Sequence, residues 1–125
     1  EDCGCVPLIN EQRQPVGVVT DRDIAIASAL QHKAPWDIYA HELSADKPLY
    51  LCSETDDVKV ALELMQTHQI RRVIVVNDDG ELAGIISMGD VLARTGAGKN
   101  KLSYGAIDAM MKSVSGHHAP MPLAV

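Results

Sequence analysis

The stretch "VGVVTDRDIAIAS", residues 16–28, decides how the rest of the chain is read. A β-branched run ends in the hydroxyl of Thr20, passes through Asp21, Arg22 and Asp23, and continues as an apolar pattern of helical period. Such a junction predicts a strand running directly into a helix. The first backbone N–H groups of a helix have no partner within it and the dipole there is positive, so anions are stabilised at that point. A hydroxyl and a carboxylate beside it could hold a sugar. The plainer reading is a helix start with Asp21 or Asp23 near its N-terminus.

A second copy stands 67 residues further on, "AGIISMGDVLART", residues 83–95. With that constant offset, residues 68–95 lie over residues 1–28 without a gap. Val6 falls on Val73, Asn10 on Asn77, Gly17 on Gly84, Thr20 on Ser87 and Asp23 on Asp90. An internal repeat fixes architecture before any other signal does. The hydroxyl-x-x-Asp spacing recurs at the same point of the same unit. Because a chance cap need not keep both groups, the repetition favours a ligand role for the pair.

The composition sets the class. A chain of 125 residues, 46% of them hydrophobic, can bury a core without disulfide staples. The net charge of −6 argues against broad binding to nucleic acid or anionic membranes. No apolar run approaches the roughly 18 residues of a membrane span, and no secretory signal pattern opens the sequence. Cys3, Cys5 and Cys52 are sparse and lack zinc spacing, which predicts reduced thiols in a cytoplasmic protein.

Along the chain, residues 5–9 and 15–20 read as strands and residues 21–31 as a helix ended by Ala34-Pro35. Ile24, Ala27 and Leu30 mark its apolar side. Residues 36–47 form a connector, with Trp36 and Tyr39 expected to pack it onto the core, and residues 48–52 a short strand. Val58, Ala61, Leu62 and Met65 fall on one face of a helix capped by Thr55 or Asp56. Strands at 70–76 and 81–86 flank the turn "NDDG", and a helix follows Ser87 to about Arg94. The second unit thus reads strand, helix, strand, strand, helix, and the first shows only the last three. The counterparts of the missing two fall before residue 1, so residue 1 is expected to be an interior point of a longer polypeptide.

The order of elements, with an apolar G-h-h-[ST]-x-x-D-h ending on each unit, resembles a pair of CBS domains (a Bateman module). Residues 17–24, "GVVTDRDI", and 84–91, "GIISMGDV", carry the likeness. The resemblance implies an α/β (α+β) fold of two β-α-β-β-α repeats about a pseudo-twofold axis. The first repeat occupies residues 1–35 in part, the second 36–96, with a linker and tail helix over 97–125. It implies clefts that bind AMP, ADP, ATP or S-adenosylmethionine. The motif Asp would hold ribose hydroxyls and the Thr or Ser would contact ribose or phosphate. Those roles carry onto Thr20 with Asp23, and Ser87 with Asp90. Arg22 in the first motif, the Val6-Pro7 pair as a base wall, and Arg71 and Arg72 as phosphate contacts complete the expected set. The second repeat has Val73-Ile74 where the first has Val6-Pro7, and Met88-Gly89 where the first has Arg22 in its motif. With a base wall expected near residues 48–51, the Ser87–Asp90 cleft is expected to bind better.

Other signals carry less. "GAGKNK", residues 96–101, has Ala93 and Asn100 where a phosphate loop needs Gly and a hydroxyl, and reads as a linker. The five histidines, His32, His41, His68, His117 and His118, show neither i, i+4 pairing nor cysteine partners, so no metal site is expected. No nucleophile–base pair stands out, so no enzyme is expected. The tail places Ile107, Met110, Met111 and Val114 at helical spacing between Ser103 and Gly116, a stripe to be covered by its own domain or a second subunit. The expected molecule is a regulatory module that binds an adenosine-type ligand, forms a homodimer and signals to a partner. The rival is an oligomerisation scaffold that binds no ligand.

Overall fold

The computed structural model describes residues 4–93 and 104–115. Strands β1 (Cys5–Ile9) and β2 (Pro15–Thr20) pair antiparallel and run into α1 (Asp21–Gln31). A 3-10 turn (Pro35–Asp37) and a five-residue helix α2 (Ala40–Ser44) follow. Then come β3 (Leu51–Ser53), α3 (Val58–His68), β4 (Arg72–Val76), β5 (Leu82–Ser87) and α4 (Met88–Ala93). The tail helix is α5 (Tyr104–Ser115). One sheet is β1-β2; the other is β3-β4-β5, with β3 parallel to β4 and β4 antiparallel to β5. This is the expected mixed α/β architecture.

The repeat holds at the level of hydrogen-bond register. Cys5 faces Thr20 and Leu8 faces Gly17 in the first hairpin; Arg72 faces Ser87 and Val75 faces Gly84 in the second. Each ladder slips at the equivalent step, after Leu8 and after Val75. The turns match as well. The Asn10 carboxamide oxygen accepts from Gln14 N–H at 2.8 Å, and that of Asn77 from Glu81 N–H at 2.9 Å. The left-handed residue each turn needs is Arg13 (φ +62°) in one and Gly80 (φ +77°) in the other. The tips of the hairpins meet where Leu82 N–H donates to Arg13 C=O at 2.9 Å.

The hydrophobic core belongs to the second unit. Cys52, Ala61, Leu62, Met65, Val73 and Val91 are buried together, and Met65 is fully enclosed. The predicted α3 face is therefore buried except Val58, at its exposed first turn. Its cap is Asp57, which accepts from Lys59 N–H at 2.9 Å, rather than Thr55 or Asp56. Asp56 turns back to take Ser53 N–H at 2.8 Å, closing the turn before the helix. α5 packs along α3, and Ser113 Oγ donates to Gln66 C=O at 2.9 Å, so the tail is held by its own chain.

Two expectations for the first unit fail. α1 buries none of its residues, and Leu30 is 76% exposed, because no further strand or helix of the described residues lies beneath that face. Trp36, 85% exposed, does not pack on the core, and Tyr39 stacks on His41 instead. The expected strand at 48–52 is shorter, because residues 48–50 leave the sheet. Cys3, Ser103, Gly116, His117, His118 and the linker at 96–101 lie outside the described residues.

The motif glycines, equal in sequence, differ in surroundings. A Cβ on Gly17 would sit 2.6 Å from both Cβ and Oγ of Ser44, so only glycine lets β2 approach α2 this closely. A Cβ on Gly84 would meet nothing within 4 Å. Gly17→Ala should therefore destabilise the protein by about 1–3 kcal/mol, the usual range for overpacking. Gly84→Ala should be neutral or stabilising by at most about 1 kcal/mol. Urea unfolding of the two variants checks this; equal losses would contradict the contact.

Candidate nucleotide-type cleft

The strand-to-helix joint is a reciprocal capping box. Thr20 adopts an extended conformation at the helix start, and its Oγ1 accepts from Asp23 N–H at 3.2 Å. The Asp23 carboxylate returns the contact, accepting from Thr20 N–H at 2.8 Å. In the second copy Ser87 Oγ accepts from Asp90 N–H at 3.1 Å and Asp90 Oδ2 accepts from Ser87 N–H at 2.8 Å. Both members of hydroxyl-x-x-Asp are thus needed for the cap itself. This corrects the inference that a cap would not keep both groups: the box satisfies two orphan donors only when both are present.

Beside the first box opens a cleft of about 330 Å³ that draws on both repeats. Thr20 and Asp23 form one side. Arg71 and Arg72, at the entry to β4, form another. Lys47 and the segment Pro48, Leu49 and Tyr50 close a third, and the floor is apolar, with Val18, Ile74 and Ile85. The Tyr50 ring is fixed by stacking on His68, centroids 3.9 Å apart. The Arg72 guanidinium lies so near the backbone of Gly4 that a Cβ there would come within 2.8 Å of it.

Four expected site residues are brought together here: Thr20, Asp23, Arg71 and Arg72. Val6, Pro7, Arg22, Ser87 and Asp90 are not among those lining this cleft. Side chains alternate along β1, so Cys5 faces the cleft while Val6, 53% exposed, faces away. Arg22 is exposed on the outer side of the first turn of α1. Residues 48–50 and the arginine pair wall the cleft of Asp23, not that of Asp90, which reverses the expected ranking. The sequence reading missed Lys47, which carries no periodic or motif signal, and the hydrophobic floor.

Electrostatically the cleft is cationic: Lys47, Arg71 and Arg72 against the single acid Asp23. Lys47 Nζ pairs with Asp23 Oδ1, so both carboxylate oxygens have donors. Partial burial pushes the Asp23 carboxyl up, but the Lys47 ammonium and the Thr20 donors outweigh it and hold the group below its ordinary value. Burial, with Asp56 adding to it, pushes the Cys52 thiol up, which makes it a poor nucleophile. Among the described residues no His, Cys, Asp and Glu cluster could hold a metal, and no helix is long and apolar enough to cross a membrane.

Because the folded carboxyl titrates below its unfolded value, Asp23 contributes stability that is complete above about pH 4. That contribution is lost as pH falls through the lower, folded value. Thermal unfolding between pH 5 and pH 2 should show a steeper acid loss for the parent than for Asp23→Asn. Parallel curves would remove Asp23 from the acid limb.

The sequence profile of the CBS domain matches residues 1–30 and 40–95. An uncharacterised protein of Methanopyrus kandleri is 36% identical over 89 residues, which span 71% of this chain and 45% of that protein. The chain therefore covers about half the length of that relative. Among solved structures, a CBS domain protein of Pyrobaculum aerophilum complexed with AMP is 38% identical, with a TM-score of 0.61 over 70% of this chain and 66% of that one. The CBS domain pair of protein MJ0100, in complex with 5′-methylthioadenosine and S-adenosyl-L-methionine, is 26% identical, with a TM-score of 0.57 over 72% and 68%. With its two matched repeats, hairpin for hairpin and cap for cap, the chain belongs to the CBS domain family.

Proposed function

We propose that the cleft beside Thr20 and Asp23 binds an adenosine-containing ligand and that the module is regulatory rather than catalytic. The observation that carries this reading is the meeting of a carboxylate, two arginines and an apolar floor in one cleft. A carboxylate can accept from both hydroxyls of a ribose, the arginines suit phosphate, and the floor suits a purine. The Pyrobaculum relative is a complex with AMP, which supports the ligand class. The free thiols of Cys5 and Cys52 fit a cytoplasmic setting. Ser87 and Asp90 would serve a second, weaker site, since the wall residues 48–50 are committed to the first.

Isothermal calorimetry with AMP, ADP, ATP and S-adenosylmethionine tests the reading. At least one should bind, and Arg72→Ala should weaken a phosphate-bearing ligand about tenfold, the loss of one charge-assisted hydrogen bond. Asp23→Asn, which keeps an oxygen for the cap, should weaken it similarly. If no ligand binds at millimolar concentration, the oligomerisation scaffold is the better description.

We further propose a homodimer that buries the open face of α1. The α3 alternative is closed, since Ala61, Leu62 and Met65 are inside the core and α5 lies along that helix. Ile26 and Leu30 remain exposed on α1, which carries no charged side chain between Ile24 and Gln31. Sedimentation should find a dimer at tens of micromolar and a monomer for Leu30→Glu. A monomeric parent would count against this assembly.

A further inference from the structure

The ion pair across the cleft sets a condition on any ligand. Asp23 Oδ2 is held by Thr20 N–H and Oδ1 by Lys47, so a ribose diol can reach the carboxylate only by displacing one of them. Thr20 N–H is part of the helix cap and stays. Lys47 is the removable partner. It follows α2 in the loop leading to Pro48, its backbone N–H is tied to Ser44 C=O at 3.1 Å, and its side chain is 46% exposed against 18% for Asp23. The carboxylate is fixed and the ammonium can swing. Arg71 and Arg72 line the same cleft with no carboxylate in salt-bridge range among the described residues.

We infer that Lys47 is an exchange cation: it holds Asp23 until a ribose takes the carboxylate, and then moves to the ligand's phosphate. The inference rests on the reading of the cleft as an adenosine site and adds the class of ligand it selects. A nucleotide that brings both a diol and a phosphate replaces the broken ion pair with a new one. Adenosine breaks the pair and offers Lys47 no anion. S-adenosylmethionine does the same and adds a sulfonium cation beside two arginines, where like charge is unfavourable. The cleft therefore selects phosphate-bearing adenosine ligands, and Lys47 sets the margin.

Calorimetry of adenosine, AMP, ATP and S-adenosylmethionine against the parent, Lys47→Met and Lys47→Arg reads this directly. In the parent, AMP or ATP should bind at least about tenfold tighter than adenosine or S-adenosylmethionine, the range of one charge-assisted contact. Lys47→Met should tighten adenosine and weaken AMP and ATP, and Lys47→Arg should keep the parent's order. If AMP or ATP binds the parent and Lys47→Met leaves its preference over adenosine unchanged, the exchange is overturned while the adenosine site stands. Tight S-adenosylmethionine binding with weak AMP also overturns it. If no adenosine compound binds the parent, the site reading itself fails and the exchange with it. Should Lys47→Met not fold, the Lys47 13Cε resonance of the parent gives the answer: it must move on adding AMP, and a static resonance refutes the exchange.

Discussion

Everything in this molecule hangs from a turn of backbone where a strand becomes a helix with no residue between. β2 ends at Thr20 and α1 begins at Asp21; β5 ends at Ser87 and α4 begins at Met88. A junction that abrupt leaves helix N–H groups bare at the sheet edge, and the hydroxyl and carboxylate three apart satisfy them reciprocally. The cap in turn aims a carboxylate away from the sheet. Structural need and chemical opportunity thus coincide in the same two side chains, and the repeat alone cannot separate them.

What separates them is the surroundings. The hairpins are equivalent in register, turn and cap, yet they meet different neighbours. Gly17 is pressed by Ser44 of α2, which brings the following loop, and with it Lys47 and residues 48–50, up to Asp23. Gly84 has open space in the same place. Asp90 accepts instead from the Ser87 hydroxyl at 2.6 Å, inside its own cap. One glycine contact therefore distinguishes a walled cleft from a bare cap.

The limits of the sequence reading follow from the same physics. Hairpins, caps and the α3 face were legible because their signals are local: a period of two, an Asn turn, an apolar stripe at i, i+3, i+4 and i+7. Thr20 and Asp23 were legible because a repeat exposed them. Lys47 was not, since its partner lies 24 residues away and depends on how α2 docks. The ranking of clefts inverted for a related reason. Residues 48–50 are adjacent in sequence to the second repeat, and only the packing of α2 on β2 hands them to the first. Trp36 illustrates the opposite error: an aromatic residue in a connector implies packing only if a surface lies under it, and the thin first unit provides none.

The same arrangement explains how a small ligand could be felt beyond its own contacts. The cleft is shared: Thr20 and Asp23 belong to one hairpin unit, Arg71 and Arg72 to the other, and Lys47 to the connector between them. A molecule that draws a carboxylate and two guanidiniums together bears on both sheets at once, at the end opposite the contact between the hairpin tips. Lys47 and Asp23 also border the groove between α1 and α2, where Ile26 and Leu30 are exposed. Loosening their ion pair frees α2 from the first turn of α1. A ligand can shift an equilibrium only by its differential affinity for the two states, and here the ion pair is the physical difference between them.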